Sequence, residues 1–415
     1  MAGPLDGIRV IDLTTMISGP TATMILADQG AEVIKIERPG GGDHTRQVST
    51  RRGGMTASFV NNNRNKHAVV LDLKRPEGVA TLLRLARDAD VFVQNFRPGV
   101  AERMGLGEAA VRAVAPQVVY CSIAGFGFDG PYAQKPVYDP LIQAVSGLTT
   151  VQAGSDQARP RLVRTILPDK LTGHVAAQAI TAALLQRQRT GAGQHIHLSM
   201  LDAVVAFLWG SDMGGHTFVG DELPAETAQS FIDLIYETAD GHISVAVQSD
   251  KEWLALTRAF DRPQWLEDPR FRTAALRQQN IDARLQATQD VLRTDTTAHW
   301  LQRLAAEGVP CAPVLTRRAM IADPQIQANG IVAEYPHPVA GPLRQARPAA
   351  RFSAAPYPTP RPAPPLGADT RAVLARAGFD AAEIQALLDA GVAHGPAAEV
   401  PGSDGAASDG AEDAA

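Results

Sequence analysis

The sequence predicts an α/β protein, with a large domain on a mostly parallel sheet and a smaller domain of mixed strands and helices. Two patterns point there. Short β-rich runs alternate with helix-period segments through the first third, which argues for parallel strands covered on both faces. Near Asp221 the pattern changes to strands joined by a tight turn and followed by helices. Length agrees, because 415 residues exceed one small domain and 45% hydrophobic residues suffice for a large core.

Gly7–Leu13 reads as the first strand. A Gly19-Pro20 break and the apolar segment Thr23–Ala31 separate it from a second strand, Glu32–Glu37. Residues Pro76–Asp88 carry Val79, Leu82, Leu83 and Ala86 at helical spacing, with Pro76 suited to a first-turn position. Val91–Phe96 and Gln117–Ala124 are further strands, and His195 and His197 alternate along another as ordinary structural or surface residues. In the second domain, Phe231–Val247 predicts two strands around a turn at Ala239–Gly241, then helical segments Trp253–Phe260 and Asp282–Leu304 and the run Gly308–Leu315. The Pro-rich segment Ala355–Pro365 reads as an extended arm, and a helical hairpin spans Asp369–Ala393. These limits give an N-terminal large domain over 1–220, a small domain over 221–330, a linker and return to the large domain over 331–394, and a disordered acidic tail over 395–415.

The net charge of −5 resides in that tail, where Glu399, Asp404, Asp409, Glu412 and Asp413 have no Lys or Arg among them. The remainder is formally neutral, which offers no field for nucleic acid. Cys121 and Cys311 show no metal-ligand spacing and read as buried thiols in a reducing compartment. No run has the length of a membrane span and no secretory leader is evident, so a cytoplasmic protein without membrane attachment is expected. The turn after the first strand, Thr14–Gly19, lacks the glycines of a dinucleotide fingerprint, which argues against a nicotinamide enzyme despite Glu37 at the end of the second strand.

Asp169 is the most informative single residue. It stands where an extended segment gives way to a helix of small residues that ends near Arg187–Gln194. One reading is an N-cap, its oxygen accepting a first-turn N–H. The other is a nucleophilic carboxylate kept ionised by the helix N-terminus. Taken alone, the cap is the favoured reading.

Its context changes the balance. Pro4–Leu13, Gly30–Gly40 with Gly42–Arg46, Asn65–Lys66 leading into Leu71–Lys74, Asn95–Gly99 with Arg103–Leu106, and Arg164–Gly173 occur in one order. Together they resemble the class III CoA-transferases (the CaiB/BaiF type), which include formyl-CoA:oxalate and carnitine CoA-transferases. The likeness extends through Gly308–Val314 and Leu366–Thr370, and so spans nearly everything but the tail.

The resemblance implies a Rossmann-like large domain with an N-terminal and a returning C-terminal part, a smaller domain between them, and an interlocked homodimer. It makes Asp169, in Asp169–Gly173, the nucleophile that passes through mixed-anhydride and aspartyl-CoA thioester intermediates. CoA moves from an acyl-CoA donor such as succinyl-CoA to a carboxylic acid. The CoA thioester is a substrate, and no metal or tightly bound cofactor is implied. Arg38, Leu71, Asn95, Phe96 and Arg103 match positions that wrap CoA, where arginines suit its phosphates. Arg46, Lys135 and Tyr138 are secondary candidates; the family lysine aligns with Pro136, beside Lys135. Ile17 stands where the oxalate-using enzyme has glutamine, which argues against oxalate. The family's glycine-rich lid has no counterpart in Gly214–Phe231.

Two other readings compete. An α-methylacyl-CoA racemase of the same fold would pair its aspartate with a histidine, but Tyr138 stands in that place, and tyrosine is a poor proton shuttle near neutral pH. A non-catalytic CoA-binding protein would not need the Asp169 carboxylate.

Overall fold

Strands form where Val, Ile and Leu run together, because both faces of the sheet are covered. The structure, a computed structural model, describes residues 3–222, 234–355 and 357–396. Arg9–Asp12, Glu32–Glu37, Lys66–Leu71, Val91–Gln94, Val119–Ala124 and His195–Ser199 are parallel. Ala393–His394 closes one edge antiparallel to Lys66–Leu71. Numbered along the chain, the parallel strands lie 3-2-1-4-5-6 across the sheet. In this doubly wound order a crevice opens at the carboxyl ends of strands one and four, where the winding reverses.

Alternation along the strands separates two apolar layers. Val10, Val33, Val91, Val119 and Cys121 pack with the helices Ser18–Asp28 and Leu167–Thr190, while Ile11, Ile34, Val69, Phe92 and Tyr120 pack with Pro76–Ala86 and Thr370–Arg376. Gly19-Pro20, read from sequence as a break, lies inside the first turn of Ser18–Asp28. A proline there lacks only an N–H that the first turn leaves unpaired anyway.

Among the elements that escaped the sequence reading, two are instructive. The strand Lys66–Leu71 opens on Lys and His, which hides its apolar run. Its Lys66 is fully buried and donates to Asp12 Oδ2 at 3.0 Å, Thr23 Oγ1 at 2.8 Å and Asn63 Oδ1 at 2.9 Å. Burial alone would raise the Asp12 carboxyl, but the Lys66 and Lys35 ammoniums and the Thr14 and Thr23 hydroxyls hold it at about 2. The second unread element is a two-stranded sheet of Val332–His337 and Gly341–Ala346.

The predicted C-terminal hairpin consists of Thr370–Arg376 and Ala381–Asp389. Residues ahead of it run beside the strand Lys66–Leu71: Arg361 N donates to Asn65 Oδ1 at 2.7 Å, and Ala68 N donates to Asp369 Oδ2 at 2.9 Å. Tyr357 reaches Asp28, which also takes the Arg64 guanidinium.

The chain divides into two compact units. One takes the chain up to Ser146, Arg164–Gly210, and what is described from Ala333 onward; the other takes Gly147–Val163 and Ser211–Val332. The second contains an antiparallel sheet of Ile235–Glu237, His242–Val245 and Cys311–Pro313, with the helices Asp250–Ala259, Ile281–Leu292 and Thr297–Ala306. Trp253, Phe260, Phe271 and Trp300 fill its core. Phe231, proposed as a strand start, part of the Gly214–Phe231 segment and nearly all of the acidic tail lie outside the described residues.

In the first unit the helices Ser18–Asp28 and Leu167–Thr190 cross at Gly173. A Cβ there would sit 2.8 Å from the Ser18 carbonyl oxygen and 2.8 Å from Thr21 Cβ. Most of that obstruction is backbone or a buried side chain. Gly173→Val should therefore push the helices apart and cost about 1–3 kcal/mol. Urea unfolding reads this as a lower midpoint, and an unchanged midpoint would refute the close crossing.

Candidate active site

The site starts from the N-terminal turn of Leu167–Thr190. Ile166 takes the N-cap position and its side chain makes no capping bond, so Asp169 is not the cap that its residue type favoured. It lies one position inside the turn after Pro168, and Gly173 follows one turn later on the same face. That spacing brings the Asp169 carboxyl near the start of Ser18–Asp28, close enough for the Ser18 N–H and hydroxyl to favour its charged form.

A second carboxylate supports the turn. Asp139 opens the helix Asp139–Val145 and is buried, with Oδ2 accepting from Asp169 N at 3.2 Å and Oδ1 from Gln143 Nε2 at 2.7 Å. Burial raises the Asp139 carboxyl. Burial and the Asp139 charge push the Asp169 carboxyl up to about 6, against the pull of Ser18. At neutral pH Asp169 is thus ionised in a half-buried setting, with few water contacts to strip before it attacks a carbon.

The segment Thr14–Ile17 that leads to Ser18 is bonded at each step. Thr14 N donates to Asp12 Oδ1 at 2.9 Å, and the Thr14 carbonyl accepts from Lys35 Nζ at 2.7 Å. Asn95 brackets Thr15, accepting from its N–H at 3.0 Å and donating to its carbonyl at 2.8 Å. Met16, at a φ of 69°, donates its N–H to Asp43 Oδ1 at 3.2 Å. Asp43 in turn meets Lys35 Nζ at 3.0 Å. The Asn95 bracket spans the place where the sheet winding reverses.

The candidate CoA-binding residues stand in different settings. Arg38, Leu71, Asn95 and Phe96 stand at or just beyond the carboxyl ends of Glu32–Glu37, Lys66–Leu71 and Val91–Gln94, along one rim of the sheet. Arg38 is exposed, its Nε donating to the Gly42 carbonyl at 3.2 Å; Phe96 is half-buried, and Arg103 is exposed at the end of Val100–Arg103. The Leu71 side chain is committed to the core, leaving its backbone to face the rim. Arg46 turns inward: its Nε and Nη2 bond Glu37 at 2.7 Å each, and its guanidinium lies 3.5 Å over the Phe59 ring. Lys135 Nζ sits 3.7 Å over Tyr132, and Tyr138 is 70% exposed just before Asp139.

His195, expected to be ordinary, belongs to a polar relay. Phe96 N donates to Gln94 Oε1 and Gln94 Nε2 to Ser122 Oγ, which lies 2.9 Å from His195 Nε2. Among the described residues no cluster of three or more His, Cys, Asp or Glu is placed to hold a metal, and no helix is long and apolar enough to cross a membrane. Cys121 is buried and Cys311 half-buried, both as free thiols. Sequence reasoning missed Ser18 and the Asp139 contact. The one local signal was Gly173, a glycine inside a helix that marks a close backbone approach.

Comparison with known proteins agrees with this geometry. Residues 5–370 match the model of CoA-transferase family III. The chain is 34% identical to succinyl-CoA:glutarate CoA-transferase from Homo sapiens, over 94% of this chain and 90% of that one. It is 35% identical to acetyl-CoA:oxalate CoA-transferase from Acetobacter aceti, over 80% and 85%. The crystal structure of a CAIB/BAIF family protein from Brucella suis superposes with a TM-score of 0.79 at 30% identity, covering 91% of this chain and 100% of that one. With the family match spanning most of its length, the chain belongs to CoA-transferase family III.

Proposed function

We propose that this enzyme moves CoA from succinyl-CoA, or a similar acyl-CoA, to a carboxylic acid, with Asp169 as the nucleophile. The observation that carries this is a half-buried carboxylate in the first turn of Leu167–Thr190, its N–H held by Asp139, within the segment that matches the family. An Asp169 oxygen attacks the thioester carbonyl carbon, the C–S bond breaks, and CoA leaves as thiolate with a mixed anhydride on the enzyme. The thiolate attacks the aspartyl carbonyl and expels the donor acid, leaving an aspartyl-CoA thioester. The acceptor carboxylate reverses these two steps and departs as its CoA thioester, and Asp169 is restored. No metal or tightly bound cofactor enters.

Arg38, Arg103 and the rim at Asn95 and Phe96 would hold CoA, the arginines against phosphates and the aromatic ring against apolar surface. Relatives that act on succinyl-CoA and glutarate support a dicarboxylic pair. Leu141, Val145, Leu185, Phe207 and Trp209 are exposed apolar side chains on helices, which supports a homodimer that covers them. The two free thiols support a cytoplasmic placement.

Asp169→Asn should fold and bind CoA yet lose transfer by several orders of magnitude, because an amide cannot form the anhydride. Near-normal transfer by non-deamidated protein would sink the assignment. Wild-type activity should fall as pH drops through about 6, where Asp169 takes up a proton. Asp139→Asn removes the neighbouring negative charge, so that acid limb should move to lower pH; an upward move would contradict the charge coupling. Arg38→Ala and Arg103→Ala should raise KM for the CoA ester, the more so in high salt. Unchanged KM in both would leave these arginines as ordinary surface charges.

A further inference from the structure

The strand Val91–Gln94 ends where the rim of the sheet begins, and its last residue is polar yet buried, with Gln94 at 5% exposure. Strand alternation puts Gln94 on the same face as Phe92, whose ring stacks on Tyr120 of the neighbouring strand at 5.2 Å. Two residues further along, that row turns polar. Gln94 pairs in register with Ser122, and its Nε2 donates to Ser122 Oγ at 2.9 Å. Ser122, also buried, lies 2.9 Å from His195 Nε2. The His195 ring is itself held, edge-on to Tyr120 at 4.9 Å and 3.8 Å from the His197 ring. The other end of the Gln94 carboxamide points back along its own chain, where Oε1 accepts from Phe96 N at 2.8 Å.

A buried carboxamide is costly unless both its ends are bonded, and an apolar side chain would continue the Phe92 and Tyr120 row without that cost. The bond to Phe96 shows what the glutamine adds. Beyond the strand the ladder stops, and Gln94 Oε1 supplies the acceptor for the Phe96 N–H. Asn95, between them, uses its own side chain on both backbone groups of Thr15. The turn onto the rim is thus tethered on two sides, and the half-buried Phe96 ring takes its place from that turn.

We infer that Gln94 is a positioning residue for CoA binding, its carboxamide, braced by Ser122 and His195, setting the Phe96 backbone so that the ring stands where the CoA ester docks. This role rests on the reading that the rim at Asn95 and Phe96 holds CoA. A ring fixed beforehand loses less freedom when its ligand arrives, and that saving is the source of the affinity. Gln94 takes no part in bond making. It acts through Phe96, so its loss should weaken the hold on CoA rather than slow the chemistry at Asp169.

The test titrates CoA into the full wild-type chain, Gln94→Met, Ser122→Ala, Phe96→Ala and the Gln94→Met/Phe96→Ala double variant in a calorimeter. Kd for CoA should rise about fivefold in Gln94→Met, the net effect expected of one lost hydrogen bond, and about twofold in Ser122→Ala, which only loosens the carboxamide. In turnover with succinyl-CoA and glutarate, the change should fall on KM for succinyl-CoA rather than on kcat. The double variant should bind CoA no more weakly than Phe96→Ala, because Gln94 acts through that ring. Ser122→Ala removes only a buried hydroxyl, and it decides the matter if Gln94→Met does not fold. A merely structural role would lower kcat or the fraction of active chain with Kd at its wild-type value. Wild-type Kd in Gln94→Met or Ser122→Ala, or additive losses in the double variant, would overturn the role of Gln94, while a weakened Phe96→Ala leaves the rim reading standing. Wild-type Kd in Phe96→Ala would overturn the rim reading, and the role of Gln94 with it.

Discussion

The close crossing of Leu167–Thr190 over Ser18–Asp28 is the constraint on which the site depends. Gly173 permits it, because any side chain there would meet the Ser18 carbonyl and Thr21. The crossing point lies one turn from Asp169, so the same contact that packs the helices sets where its carboxyl stands. Widening this crossing would loosen the core and the reactive group together. Packing and chemistry share one residue, which is why the Asp-x-x-Thr-Gly pattern is a structural unit as well as a reactive one.

A buried layer of charge carries the other half of that contact. Asp12, Lys35, Asp43 and Lys66 are nearly or wholly inaccessible and linked through ion pairs of 3.0 Å. Such groups rarely add net stability over an apolar core, but they fix geometry, because each has few alternative partners. Here their spare bonds go to Thr14 and Met16, the residues that lead into Ser18. The strand order then sets the Asn95 bracket across the same segment from the other side of the reversal point. A loop that would be mobile on energetic grounds is thereby held at each residue.

Much of this was legible in the amino-acid order. Apolar runs at Val91 and Gln117, and the period of Pro76–Asp88, located their strands and helix to within a few residues. The strand Lys66–Leu71 was hidden by its charged start, since Lys66 is buried only because Asp12 waits beneath it. The sheet of Val332–His337 and Gly341–Ala346 has polar residues on both faces and carries no clean alternation. At the site, Asp169 was visible through its motif, whereas Ser18 and Asp139 were not tied to it by any spacing. Contacts between residues so far apart arise from how the sheet winds, and local pattern does not record that. Arg46 shows the converse: its type suits a phosphate, yet Glu37 and Phe59 had claimed it.

Oxygen tracing tests the central claim, that Asp169 carries the acyl group, most directly. The aspartyl-CoA form of the enzyme is given an acceptor acid labelled with heavy oxygen in both carboxylate positions. The acceptor's oxygen attacks the aspartyl carbonyl, and the returning thiolate then removes the acceptor's acyl carbon. One labelled oxygen must stay behind on Asp169, so the peptide that contains it should gain about two mass units in a single turnover. CoA transfer that leaves this peptide at its original mass would contradict the claim, because the acceptor would then have taken CoA without bonding to Asp169.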